Sequence, residues 1–455
     1  MSSVSEAAAQ WSAGLEISAI PEDVLLGARW HILDTLGVIF AARDYGQKIR
    51  AGVLAMGGQG AAHILGFGDP TAAQPAALAN GAMASALSYD DTHNATIVHV
   101  SAALLAASLA LAEEKDASGE EMLAAFIAGS ELACRIGLAA PLQFHKRGWH
   151  PTGLFGAVGA TYAACRLLRL DAARTTQAAG IVGSFAAGIG QGMREGAEAP
   201  NLHAGWAAQS GIAAALLAQH FHTGPLQVFE GNSGLLRTHV QDPDYRFDFA
   251  AALAGLGSRW ECRAISLKPY PAAHVLHSFI DAILALHAQG LCAGDVVRIR
   301  CPIADYMVGV VCEPRAQKLV PRNEWQGRSS LYYSLAEALV TGRHGAGSYR
   351  SDPATRAEIV ALAEKIDYEV DATAKPGQFK GWVIVETRDG RRLERIEPYN
   401  RGSAERPLSE DEMRAKFRDN GAALFSPARL AAIEHAALTL AGPGAARALA
   451  AACVP

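Results

Sequence analysis

From the start of the chain to about residue 262, apolar and small residues run in helix-length blocks separated by Gly, Pro and Asn, which predicts a succession of α-helices. Pro21-Glu22-Asp23 opens one that runs through Trp30 and Leu33 to about Ala42, with proline early and acids where the helix dipole favours them. Ser118, three residues ahead of Glu121, has capping-box spacing and predicts a helix through Gly137. Pro151 opens another, in which Gly153, Gly156 and Gly159 are expected to leave a smooth stripe for one close neighbouring helix. The most apolar stretches, such as 102–112 and 212–218, fall short of the roughly 18 residues a membrane span needs and are expected to be buried core helices.

Near residue 263 the pattern changes. Runs rich in β-branched residues at 295–303 and 381–397, the second broken by the turn pair Asp389-Gly390, predict strands. Between them, 329–342 and 352–366 predict amphipathic helices, and from Ser409 onward the chain returns to Ala/Leu helices. The pattern therefore predicts a helical region followed by a mixed α+β domain and a helical close. With 455 residues, half of them hydrophobic, two domains with sizeable cores are expected.

A formal charge of -5 without a basic run offers no field for phosphate backbones or anionic lipid, so neither nucleic acid nor membrane is an expected partner. Seven cysteines without CxxC or Cys/His ligand spacing are expected to be buried thiols in a reducing compartment. The opening residues show no basic segment followed by an apolar core, so the expected location is cytoplasmic.

Four clusters set polar residues into this apolar text. Asp90-Asp91-Thr92-His93, followed by His99, could supply a proton-transfer or metal site; the plainer reading is a helix cap and a hydrogen-bonded core histidine. His150 immediately precedes Pro151, placing its imidazole at a helix N-terminus, where neutral histidine is favoured and anions are attracted. The alternative there is a simple cap beside the core anchor Trp149. His203, heading a helix of small residues, reads equally as a structural core histidine. In Lys268-Pro-Tyr-Pro271 two prolines fix the direction of a lysine that could titrate or hold a carboxylate, and His274 and His277 follow on one helical face. No G-x-S-x-G elbow, phosphate loop or H-E-x-x-H motif is present.

Six stretches in order give the chain a resemblance to the MmgE/PrpD family of carboxylate dehydratases, decarboxylases and epimerases. They are Asp34-Thr-Leu-Gly37, Asp90-Asp91-Thr92 through His99, Gly148-Trp-His-Pro-Thr-Gly153, Leu202 to Gly211, Lys268-Pro-Tyr-Pro271 and Lys416-Phe-Arg418. The resemblance implies a mainly α fold: a large all-helical domain built from 1–263 and 405–455, with a smaller α+β lid domain, 264–404, inserted, and an active site between them.

It also implies that His99, His150, Lys268 and Thr92 line that site; His99, His150 and Lys268 are expected to be catalytic, and Asp91, Thr92, His203, His274 and His277 are candidates for binding substrate. The implied reaction is general acid/base chemistry needing no metal or organic cofactor. Removing a proton beside a carboxylate leaves a carbanion that nearby cations stabilise, while a second group protonates the leaving hydroxyl. The expected partner is a small di- or tricarboxylate, such as a 2-methylcitrate-like compound, and relatives suggest a homodimer. The leading expectation is a lyase of the dehydratase type. An epimerase, a catalytically silent carboxylate binder and a metal-dependent hydrolase built on Asp90, Asp91, His93 and His99 are the alternatives. Where relatives carry a lysine and an aspartate, this chain has Pro200 and Ser88, which bears on the substrate rather than on the reaction class.

Overall fold

A computed structural model describes residues 2–375 and 378–455. The protein is mainly α and divides into two compact units: Met1–Ala86 with Asp90–Ile265 and Glu410–Pro455, and Leu87–Tyr89 with Ser266–Ser409.

The first unit is helical. Its central helices are Ala73–Ser85, Val100–Lys115, Gly119–Leu138, Pro151–Leu167 and His203–Gln219, each buried along most of its length because small residues occupy every face. The Ser118 capping box forms as expected, its hydroxyl accepting from Glu121 N–H while Glu121 accepts from Ser118 N–H. Small residues let backbones meet: a Cβ on Gly159 would lie 2.5 Å from the Gly129 carbonyl oxygen, and one on Gly205 would lie 2.1 Å from that of Leu78. The three glycines after Pro151 do not share one partner helix, however. Gly153 faces Ala187, Gly156 faces Ala103 and Ala207, and Gly159 faces Gly129. A step of three residues falls about 60° short of a full turn, so each glycine is presented to a different neighbour.

The expectation that no segment reaches membrane-span length is also corrected. Glu22–Ala41 is a 20-residue helix long and apolar enough by composition to cross a membrane. Its most apolar window is 67% buried inside the protein, as in a core helix. The closing helices are Glu410–Gly421, Pro427–Leu438 and Ala445–Ala452.

The second unit contains a four-stranded mixed sheet in the order Ile366–Val370, Val296–Ile303, Gly381–Thr387, Arg392–Glu397. The two runs predicted as strands form it, with Gly381 opposite Glu397 across the Asp389-Gly390 turn. Val296–Ile303 pairs with Ile366–Val370 in parallel, Ile299 opposite Ile366. That last strand was not expected. The predicted helix over 352–366 stops at Ala363, and the alternation of Ile366-Asp-Tyr-Glu-Val370 makes a half-exposed edge strand instead. The core of this unit joins Phe279, Ile280 and Ile283 to Val383, Val385 and Leu335. The cysteines are free, but Cys262 is only partly buried and Cys292 is exposed in a turn, contrary to the expectation that all are buried.

Candidate active site

His99 is the N-cap residue of Val100–Lys115, yet its side chain makes no cap. The capping is done from elsewhere: Asp91 accepts from Ser101 N–H at 3.0 Å, and the Thr152 hydroxyl accepts from His99 N–H at 2.9 Å. A turn closed by His93 N–H donating to the Val98 carbonyl folds residues 93–98 back, bringing Thr92 beside His99. His99 Nδ1 then lies 2.9 Å from the Asp91 main-chain carbonyl, 3.1 Å from the Thr92 hydroxyl and 3.6 Å from the buried Asp90 carboxylate. A carbonyl oxygen only accepts, so the proton sits on Nδ1 and Nε2 is the basic nitrogen. Asp90 is placed to stabilise the imidazolium that forms when Nε2 takes a proton.

His150 is the N-cap of Pro151–Leu167, with proline at the first turn. Its N–H donates to the Gly188 carbonyl at 2.9 Å, which ties it to the 187–188 segment lying against Gly153. His150 Nδ1 is 2.8 Å from Nδ1 of His203, the first residue of the His203–Gln219 helix. Only one proton fits between two facing nitrogens. Burial pushes His203 below its ordinary pKa, which favours its neutral form. The His99 and His150 rings meet edge to face at 5.8 Å, completing a row of three imidazoles.

Behind this row lies a buried charge network. Asp91 also accepts from the Ser101 hydroxyl and lies 2.7 Å from His31 Nδ1. Lys416 Nζ is 2.7 Å from Asp34, in the same unit. His93 turns elsewhere, its Nδ1 on Thr96 at 2.8 Å and its Nε2 3.8 Å from Glu261. Among the described residues no three His, Cys, Asp or Glu side chains are grouped to hold a metal ion, so the set Asp90, Asp91, His93 and His99 does not form the metal centre considered from sequence.

In the second unit Lys268 is buried, its ammonium 3.3 Å from the Ser88 carbonyl, and the Tyr89 hydroxyl donates to the Pro269 carbonyl at 3.1 Å. Ser88 adopts a left-handed φ of 51°, which turns that carbonyl. His274 Nε2 faces the Asn400 amide at 2.7 Å, while His277 Nε2 donates to the Ala272 carbonyl at 3.2 Å. The Tyr270 hydroxyl donates to Asp281 at 2.7 Å, with Arg401 and Arg406 on the same carboxylate. The structure thus gathers His99, His150, His203, Thr92 and Asp91 within the first unit, whereas Lys268, His274 and His277 belong to the second.

Sequence reasoning passed over His31, Thr152 and Lys416 as individual site residues. Their signals were present: a histidine on an otherwise apolar helix, and polar members of stretches noted for other reasons.

The N-terminal domain of the MmgE/PrpD family matches residues 6–248, and its C-terminal domain matches 270–440. The chain belongs to the MmgE/PrpD family. A cis-aconitate decarboxylase-like protein of Aspergillus oryzae is 27% identical over 94% of this chain and 93% of its own length. The cis-aconitate decarboxylases of Aspergillus terreus and Homo sapiens are each 26% identical over 94% of this chain, covering 91% and 89% of their own lengths. The resemblance drawn from six ordered stretches is therefore borne out, and each of five of the six touches at least one other in this MmgE/PrpD chain. Asp34 pairs with Lys416 and Gly37 packs on Phe417, His99 bonds Thr152, and His150 bonds His203.

Proposed function

We propose that this MmgE/PrpD protein is a lyase working by general acid/base catalysis on a small di- or tricarboxylate, specifically a dehydratase. The observation that carries the proposal is the pair of imidazoles, rings 5.8 Å apart, each held through Nδ1 by a different partner, the Asp91 carbonyl and His203. His99, holding its Nδ1 proton on the Asp91 carbonyl, acts through Nε2 as the base that removes the proton beside a substrate carboxylate. His150, backed by neutral His203, acts as the acid that protonates the departing hydroxyl as water. The family resemblance further assigns to Lys268 the holding of a substrate carboxylate.

A second reading is decarboxylation, favoured by the names of the curated relatives. Loss of carbon dioxide needs only one proton delivered to the vacated carbon, so it uses half of this arrangement. Pro200 and Ser88 are uncharged where the family resemblance implies a lysine and an aspartate, which supports a substrate other than cis-aconitate.

A panel of small hydroxy-di- and tricarboxylates incubated in deuterated water and followed by NMR tests the reading. Loss of the hydroxyl with formation of an alkene is expected, and His99→Gln and His150→Asn should each abolish it with melting near wild type. Carbon dioxide release establishes the decarboxylase instead. Deuterium uptake without elimination points to an epimerase, and thermal stabilisation without exchange to a silent binder.

A further inference from the structure

His31 has no part in the chemistry above, but what it holds reaches the base directly. It lies on Glu22–Ala41, and its Nδ1 is 2.7 Å from the carboxylate of Asp91, which is wholly buried. Burial alone would raise the Asp91 pKa; hydrogen bonds from His31 and Ser101 outweigh it and hold the group below the usual carboxylate range, hence ionised. Asp91 uses both its side chain and its main chain on the same element. Its carboxylate caps the helix that begins at His99, by way of Ser101 N–H and the Ser101 hydroxyl, and its carbonyl receives His99 Nδ1. The peptide unit that fixes the His99 tautomer is therefore anchored by the carboxylate of the same residue, and that carboxylate is anchored by His31.

We propose that His31 and Asp91 form a positioning pair that sets the tautomer and direction of His99, so that Asp91 orients the base instead of binding substrate. The proposal rests on reading His99 as the base. The groups facing His99 include Asp90, Thr92, Thr152 and His150; those beside Asp91 include His31, Ser101 and, through space, Asp34 and Lys416.

The structure also supplies a way to test it. A cavity of about 190 Å³ in the first unit, lined by His31 together with Asp23, Ala28, Phe126, Ser130 and Arg263, adjoins the imidazole. Truncating His31 would enlarge that cavity by the volume of an imidazole ring, giving added imidazole a place to bind. The full-length protein with His31→Ala should lose about 100-fold in kcat, the scale on which a misdirected catalytic group costs rate, with KM little changed. In 15N-edited NMR spectra of the histidine side chains, the Nδ1–H tautomer of His99 should give way to a mixture. Imidazole in the buffer should restore a measurable share of both, and His31→Asn, whose amide nitrogen can stand in for Nδ1, should stay within about tenfold of wild type.

An unchanged His99 tautomer and kcat in His31→Ala would overturn the proposal. So would a loss that neither imidazole nor His31→Asn repairs, since that marks general damage to the fold. If the wild-type protein turns over no carboxylate, the lyase reading fails, and the tautomer measurement still decides the role of the pair.

Discussion

The ammonium of Lys416 lies 2.7 Å from the carboxylate of Asp34, and both side chains are buried. Burial pushes Asp34 up and Lys416 down, and each charge partly restores the other. Removing one partner leaves the other uncompensated in the interior. Lys416→Met is expected to lower the unfolding free energy by about 3–5 kcal/mol, and the Asp34→Leu/Lys416→Met double variant by much less than the two single losses added together. Urea denaturation of the four proteins measures the coupling. Simple additivity would show that the pair contributes nothing as a pair.

Gly153 is the residue at which the helix carrying His150 comes closest to the 187–188 segment: a Cβ there would sit 2.0 Å from the Ala187 carbonyl oxygen. Backbone must move to admit it, and the neighbouring Gly188 carbonyl holds the His150 N–H. Gly153→Ala should cost about 1–3 kcal/mol by overpacking and reduce kcat as well. At Gly156 the nearest atoms to the new methyl would be side-chain carbons of Ala103, Ala207 and Thr152, at 3.1, 3.4 and 4.0 Å, so Gly156→Ala should be milder on both counts. Thermal melts and turnover of the two variants check the order, and Gly156→Ala proving the worse would contradict it.

On the proposed assignment of His150 as the acid, a His203 that burial holds toward its neutral form accepts from His150 Nδ1, an arrangement that favours the charged form of the acid. An acid catalyst must be protonated to act, so the alkaline limb of kcat reports its deprotonation. With His203→Leu that limb should move to lower pH by roughly one unit, the size of shift one hydrogen-bonding partner commonly produces. His99 and Asp90 stay in place, so the acid limb should hold. A pH profile of kcat in which the alkaline limb does not move would remove His203 from the acid's role.

Much of this was legible from residue order alone. Helix starts at Pro21, Ser118 and Pro151 were readable because caps and prolines act locally, and the hairpin around Asp389-Gly390 because its turn chemistry lies between two β-branched runs. The strand Ile366–Val370 was not, since a short edge strand following a helix without a glycine or proline carries no local stop signal. For the site, His150 and His203 stood out as histidines at helix starts, and His99 as the imidazole that follows a cluster of acids. That His150 bonds His203, or that Asp91 faces His31 sixty residues earlier, depends on tertiary packing that no spacing encodes.

In the second unit two buried groups oppose each other across pH. Burial raises Glu337 from 4.5 to about 7, against hydrogen bonds from Tyr349 N–H and the Ser351 hydroxyl, and lowers His344 from 6.5 to about 3. The two side chains are 3.8 Å apart, and His344 Nε2 is 2.9 Å from the Tyr349 hydroxyl. Between pH 4.5 and 7 the folded protein keeps a proton on Glu337 that the unfolded chain has lost, so this group makes stability fall as pH rises. Between pH 3 and 6.5 the unfolded chain binds a proton on His344 that the folded protein does not, so that group makes stability rise with pH. From 4.5 to 6.5 the two slopes, each about 1.4 kcal/mol per pH unit at most, cancel. Glu337→Gln keeps an acceptor for Tyr349 N–H but abolishes one slope. Its stability relative to wild type, read from urea midpoints, should therefore climb steadily from pH 4.5 to 7 and then level off. A difference that stays constant across that window would mean that Glu337 ionises in the folded protein as it does in the unfolded chain.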